Sequence, residues 1–231
     1  MPNLKSYLNR RLTIWEAVVA IVFMAALAGV VYLTYVFVAA KLFEARVNAA
    51  LPKVCADIRN QRQKLVSAIE AYKAYFGVYP PDHVVNRQPL VVDAVTNWLV
   101  YELVGVTYNP TNRWFQLGRM ETADAKFVKD FLHCEGFTNS GESATQIKRF
   151  LPSPPSFDVP LGQFHDDPDV YVLCYNVFAT DLDRQVAAGI DASSWRYVSS
   201  SPTNNPGKFD LWIEVRTKQQ SVTIGNWKSV E

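Results

Sequence analysis

The chain is poor in the residue types that advertise chemistry. Its 231 residues include only three cysteines (Cys55, Cys134, Cys174), none in a C-x-x-C pair. That excludes a disulfide-dense scaffold and the common zinc ribbons. There are three histidines and no H-E-x-x-H, and no G-x-S-x-G, phosphate-loop or G-x-G-x-x-G pattern occurs. The recognisable hydrolase, nucleotide and dinucleotide sites are therefore missing, and we expect no enzyme, no cofactor and no small-molecule substrate. Charge is sparse and balanced, with 23 Lys and Arg against 22 Asp and Glu and a formal net charge of +1. Nucleic-acid binding needs a basic footprint, so none is expected.

Against these absences stands one long apolar run. Residues 17–40 carry no charge and are almost wholly apolar. At 1.5 Å per residue they make about 36 Å of helix, enough to cross a hydrocarbon core of ~30 Å. Nothing later in the chain repeats it, so a single span is expected. Lys5, Arg10 and Arg11 precede the run and Lys41, Arg46 and Lys53 follow it, which leaves the positive-inside count nearly even. A short N-terminal flank is a poor candidate for export, whereas a long domain translocates largely regardless of charge. The C-terminal domain is therefore expected outside the cytoplasmic membrane. The run is longer than the apolar region of a signal peptide, so cleavage after Ala40 is not expected. Glu16 sits at its leading edge, and an ionisable group in such a place has two readings. It is an interfacial carboxylate without a role, or it is a contact to another subunit.

The organisation follows from composition. We divide the chain into an N-terminal flank (1–13), a transmembrane helix (14–40), an amphipathic continuation of that helix (41–79), a helical and loop insertion (80–169) and an antiparallel sheet (170–231). Residues 41–76 hold no Gly and one Pro, and Ile58, Leu65, Ile69, Tyr72 and Phe76 recur at helical spacing. Pro52 should kink the helix, and Gly77 with Pro80-Pro81 should stop it. In the insertion, residues 92–103 and 123–132 have helical periodicity, a further short helix should end near Phe150, and four prolines make 151–160 a loop. Residues 170–178, 195–199, 209–216 and 221–224 are rich in β-branched and aromatic side chains, with a hairpin turn at 217–220. The fold class is α+β: a long N-terminal helix, half transmembrane and half amphipathic, packed on a small C-terminal antiparallel sheet. Trp195, Trp212 and Trp227 then belong to the core rather than to a carbohydrate platform. The stretches His165-Asp166-Asp167-Pro168-Asp169 and His133-Cys134 lack a closed ligand set, so no metal site is expected. Cys134 and Cys174 can pair in an exported domain, and three buried thiols are the other reading.

Several blocks resemble the type IV pilin superfamily, and specifically the major pseudopilin of bacterial type II secretion. Leu12-Thr13-Ile14-Trp15-Glu16 stands in the order of pilin-like N-termini, with Glu16 in the place of their glutamate. Gly77-Val78-Tyr79-Pro80-Pro81-Asp82 resembles the G-x-Y-P-P segment. Trp195-Arg196-Tyr197-Val198-Ser199, Asn205-Pro206-Gly207, Phe209-Asp210-Leu211-Trp212 and Ile224-Gly225-Asn226-Trp227 resemble the C-terminal blocks of the major pseudopilin. The resemblance covers both ends of the chain and implies a filament subunit in the bacterial inner membrane, its globular domain in the periplasm. It implies partners among copies of itself and other secretion-system subunits. Two departures stand out. The family's peptidase cuts after glycine, but Arg11 precedes Leu12, so no cleavage is expected there. The family's calcium loop is acidic and Gly-rich, but residues 216–221 here read Arg-Thr-Lys-Gln-Gln-Ser, so the calcium site is expected to be absent.

The resemblance also assigns roles. In pilin-like filaments the glutamate neutralises a neighbour's cleaved N-terminus. Without cleavage that amine lies eleven residues away, and Arg10 or Arg11 of a neighbour becomes the expected partner of Glu16. Small residues Ala20, Ala25, Ala28 and Gly29 permit close helix approach. The alternative is a signal-anchored periplasmic binding module on a pilin-like scaffold that does not assemble, and the missing glycine is its best support.

Overall fold

A computed structural model of the protein describes residues 4–82, 99–117, 120–132, 136–151, 161–164, 167–175, 180–192 and 194–227. The chain divides into two compact units, Met1–Ala49 and Ala50–Glu231. One helix, α1 (Leu4–Phe76), contributes to both and runs unbroken through Pro52.

In the first unit every residue from 15 to 43 is exposed, including large side chains such as Trp15, Phe23 and Tyr35 at 68%, 69% and 71%. Burying a side chain of this size is worth about 1.5–3 kcal/mol, so a run of them bare to water is untenable. This is a helix long and apolar enough to cross a membrane. The one aliphatic hydroxyl within residues 15–43, Thr34 Oγ1, donates to the Val30 carbonyl at 2.8 Å, which suits a solvent that offers no partners. The run ends at the exposed ion pair Lys41–Glu44 (3.0 Å).

In the second unit the amphipathic stripe is buried as its spacing requires. Leu51, Val54, Cys55, Ile58, Leu65, Ala68, Ile69 and Tyr72 are all in the core. Phe76 is half-buried, in an aromatic cluster with Tyr72 (4.5 Å) and Phe150 (6.0 Å). The helix stops at Gly77, whose φ is +81° and whose N–H donates to the Lys73 carbonyl. Next among the described residues, α2 (Leu99–Val104) is buried at all six positions.

The insertion is more sheet than expected. Strands β1 (Val106–Asn109), β2 (Trp114–Leu117) and β3 (Met120–Asp124) form an antiparallel meander, and β4 (Ser140–Gly141) adds in parallel to β1, giving the order β3-β2-β1-β4. Asn109 and Asn112 shape the β1–β2 turn, their side-chain carbonyls accepting from the N–H groups of Thr111 and Trp114. Of the helices expected here, α3 (Ala125–Leu132) is present, whereas 142–147 forms turns. Expected helix positions 92–98 and most of the prolyl loop lie outside the described residues.

Farther on, β5 (Leu161–Phe164) and β6 (Asp167–Leu173) make a two-stranded ladder. Helix α4 (Arg184–Ala188) is N-capped by the Asp183 carboxylate, which accepts from the N–H groups of Gln185 and Val186. The last sheet contains β7 (Asp191–Ala192), β8 (Arg196–Val198), β9 (Asp210–Arg216) and β10 (Ser221–Gly225), all antiparallel to β9 or paired with it. Alternation on β9 points Leu211, Ile213 and Val215 into the core, with Trp212 and Glu214 on the other face half-buried and Arg216 exposed. The β9–β10 turn closes where expected, Thr217 N–H donating to the Gln220 carbonyl at 2.8 Å. Strand β6, expected in this sheet, pairs with β5 instead, and its end meets the sheet through the Cys174–Ser194 bridge and the Trp195 N–H, which donates to the Leu173 carbonyl at 2.8 Å. Helix α1 meets the sheet where the Arg62 guanidinium donates to the Gly225 carbonyl. The architecture is α+β, with a long N-terminal helix and a small antiparallel sheet.

Candidate functional site

All four expected assembly residues lie on α1 within the first unit. Glu16 is exposed and has no ion pair among the described residues. Arg10 and Arg11 are helical, and their side chains lie outside the described residues. At about 100° per residue, positions 10 and 11 stand about 120–140° around the helix from position 16. One copy therefore does not present these charges to each other on one face, and a pairing requires a second copy. A Cβ added at Gly29 would meet nothing within 4 Å, so the chain's own packing sets no demand for glycine there. Ala25, Ala28 and Gly29 share one face, being three and four residues apart. The helix collects these positions, and among the described residues nothing meets Glu16 or Gly29.

In the second unit, side-chain hydrogen bonds join residues 80–82 to 197–200 and residues 203–211 to 226. After α1, the Pro80 carbonyl accepts from the Tyr197 hydroxyl (2.9 Å) and the Ser199 hydroxyl (2.8 Å). The Asp82 carboxylate accepts from the N–H groups of Ser199 and Ser200 at 2.8 and 2.7 Å. The buried Asp210 carboxylate accepts from the backbone N–H groups of Thr203, Asn204 and Asn205 at 2.8–2.9 Å and from the Asn204 side-chain amide. The Asn226 side chain accepts from Leu211 N–H and from the Asn205 amide, and donates to the Phe209 carbonyl. Gly225 is a glycine because the Trp227 ring lies against it: a Cβ there would sit 2.7 Å from ring atoms. Trp227 in turn packs edge-on against Trp212 at 5.9 Å. Trp195 is fully buried, as a core residue should be.

A second buried polar network was invisible in the sequence. Glu102 is fully buried on α2. Its carboxylate accepts from the Tyr72 hydroxyl (2.8 Å), Thr138 N–H (2.8 Å) and Asn139 N–H (3.0 Å). The Asn139 amide donates to the carbonyls of Glu102 (2.7 Å) and Lys148 (2.6 Å), and its oxygen accepts from Lys148 N–H. Burial pushes the Glu102 carboxyl above the usual range, against the pull of its three donors. Burial and the Glu102 charge push the Tyr72 phenol far up, so it stays a neutral donor. The network ties α1, α2 and the 138–148 segment together.

Cys134 lies outside the described residues, as do His133, His165 and Asp166, so the expected Cys134–Cys174 disulfide concerns a residue with no described position. Cys174 is half-buried, and burial pushes its thiol up to about 11. Cys55 is a buried thiol on α1, raised by desolvation with Arg59 acting the other way. Among the described residues no three His, Cys, Asp or Glu side chains gather as a metal site would require. Compared with family models, with curated proteins and with solved structures, the chain matches none.

Proposed function

We propose that the chain is a structural subunit of a pseudopilus-like filament of a type II secretion system, assembling through α1 to support protein export. In this reading it sits in the bacterial inner membrane with its C-terminal domain in the periplasm. The observation that carries the proposal is the bare apolar half of α1, which holds Glu16 and Gly29 without any partner among the described residues. Small residues allow helix backbones to approach, and a carboxylate in a low-dielectric setting needs a cation or a proton. Arg10 or Arg11 of a neighbour displaced by a short axial step supplies that cation and fixes the stagger. The hydrogen bonds at Pro80, Asp82, Asp210 and Asn226 give the pseudopilin-like blocks a structural reason, which supports the same reading.

One observation favours a second reading. Arg11 stands where the family's peptidase needs glycine, which fits an anchored periplasmic binding module that stays monomeric. Native electrophoresis of gently solubilised membranes separates the two. The filament reading predicts a ladder for the parent chain and a monomer for Glu16→Ala, with the ladder partly restored by Glu16→Arg combined with Arg10→Glu and Arg11→Glu. A parent chain that runs as a monomer at every expression level supports the binding module instead.

A further inference from the structure

A polar groove of about 490 Å³ opens in the second unit between α1 and the 205–209 loop. Its floor is α1, and its charged groups are Arg62 and Glu70 on the helix and Lys208 on the loop. Arg62 uses its guanidinium once, toward the Gly225 carbonyl, and its remaining N–H donors meet no acceptor among the described residues. Lys208 is exposed, and its side chain has no partner among the described residues. Among the described residues Glu70 accepts only a long hydrogen bond, from the Tyr79 hydroxyl (3.4 Å), and the neighbouring Lys73 lies 4.1 Å over the Tyr79 ring. In most surface helices such charges find each other at i,i+4 spacing, but Arg62 and Glu70 are eight positions apart and stay separate.

We propose that this groove docks an extended peptide that carries an acidic residue and, four positions on, a basic one. Arg62 and Lys208 receive the acidic side chain at the Asn205–Asn226 end. A guanidinium presents a fork matched to a carboxylate, and the flexible lysine adds a second donor. Glu70 receives the basic side chain at the Tyr79 end. The spacing follows from geometry: eight helical residues rise about 12 Å, and four extended residues span about 13 Å. Between the charges, Gln63 lines the groove and its side-chain amide can bond the peptide backbone, whereas the Asn205 amide nitrogen is already engaged by the Phe209 carbonyl and the Asn226 side chain. The groove is open rather than enclosed, which suits a chain passing through it better than a small molecule held inside. This inference does not depend on filament assembly.

The test uses the full chain in detergent micelles, labelled with ¹⁵N-arginine, and the peptide acetyl-Gly-Glu-Gly-Ser-Gly-Lys-Gly-amide. The expected result is a saturable shift of the Arg62 Nε–H signal. Binding should weaken at least tenfold when glutamine replaces the peptide's glutamate, or when its glutamate and lysine are made adjacent. Lys208→Gln, a change to an exposed residue, should weaken binding severalfold, and so should Glu70→Gln. Equal affinity for the spaced and adjacent peptides overturns the proposal, since it would mean unspecific charge attraction. So does an equal Arg62 shift with inorganic phosphate, or unchanged affinity in both variants. Absence of any shift up to about 5 mM peptide, beyond the roughly millimolar limit of weak recognition, overturns it as well.

Discussion

Two buried carboxylates show how much a single residue can organise here. Glu102 joins Tyr72 of α1 to the N–H groups of Thr138 and Asn139. Its carboxyl is raised in the fold by burial, so its contribution to stability is fully present below the unfolded value near pH 4.3 and is lost as pH rises through the folded value. Glu102→Gln removes that dependence and leaves one of the three donors without an acceptor, a cost of about 1–3 kcal/mol. Thermal melts of the two full chains should therefore differ most at low pH, with the gap shrinking as pH rises. A gap that widens with pH would mean that the three donors outweigh burial. Asp210 is the second case, with three backbone N–H groups pointed at it. Asp210→Asn supplies one oxygen instead of two and should cost about 2 kcal/mol, read as a lower melting temperature without loss of membrane insertion. Neither role was legible in advance. A lone Glu in the short apolar segment 99–104 looks like any solvated charge, and only the partners from positions 72 and 138–139 explain it.

At the scale of elements, the two ends of the chain were readable, and the middle only in its helices α2 and α3. The helical spacing of Ile58, Leu65, Ile69 and Tyr72 matches their burial, and β8, β9 and β10 fall on the segments of high β-propensity. The meander β1–β3 escaped because its strands are only four or five residues long, too short for a period of two to show. The Asn109-Pro110-Thr111-Asn112 turn between β1 and β2 was the available signal. The placement of β6 escaped for another reason: strand propensity does not say which neighbour a strand will choose. In the last hairpin, Gly225 and Trp227 are coupled by contact. Gly225→Ala should destabilise by about 1–3 kcal/mol through overpacking. In a Trp227→Ala background the same change should cost much less, because the ring it collides with is gone. A double-mutant cycle by thermal melting reads this coupling, and simple additivity would show that the ring moves aside freely.

At the scale of the whole molecule, the exposed apolar run and its edge carboxylate were legible from hydropathy alone, because a membrane imposes length and composition directly. A partner for Glu16 came from the resemblance instead, as Arg10 or Arg11 of a neighbour, and none stands beside it among the described residues of its own chain. The central claim, that copies of α1 pack together around Glu16, is tested most directly by cysteine cross-linking in intact membranes. Single cysteines are placed at successive positions from 18 to 36 in a chain whose Cys55, Cys134 and Cys174 are changed to serine. The account predicts dimers with a helical period, strongest on the face of Ala25, Ala28 and Gly29, and their loss when Glu16→Ala is added. Cross-links that are absent, or spread evenly around the helix and indifferent to Glu16→Ala, would contradict it.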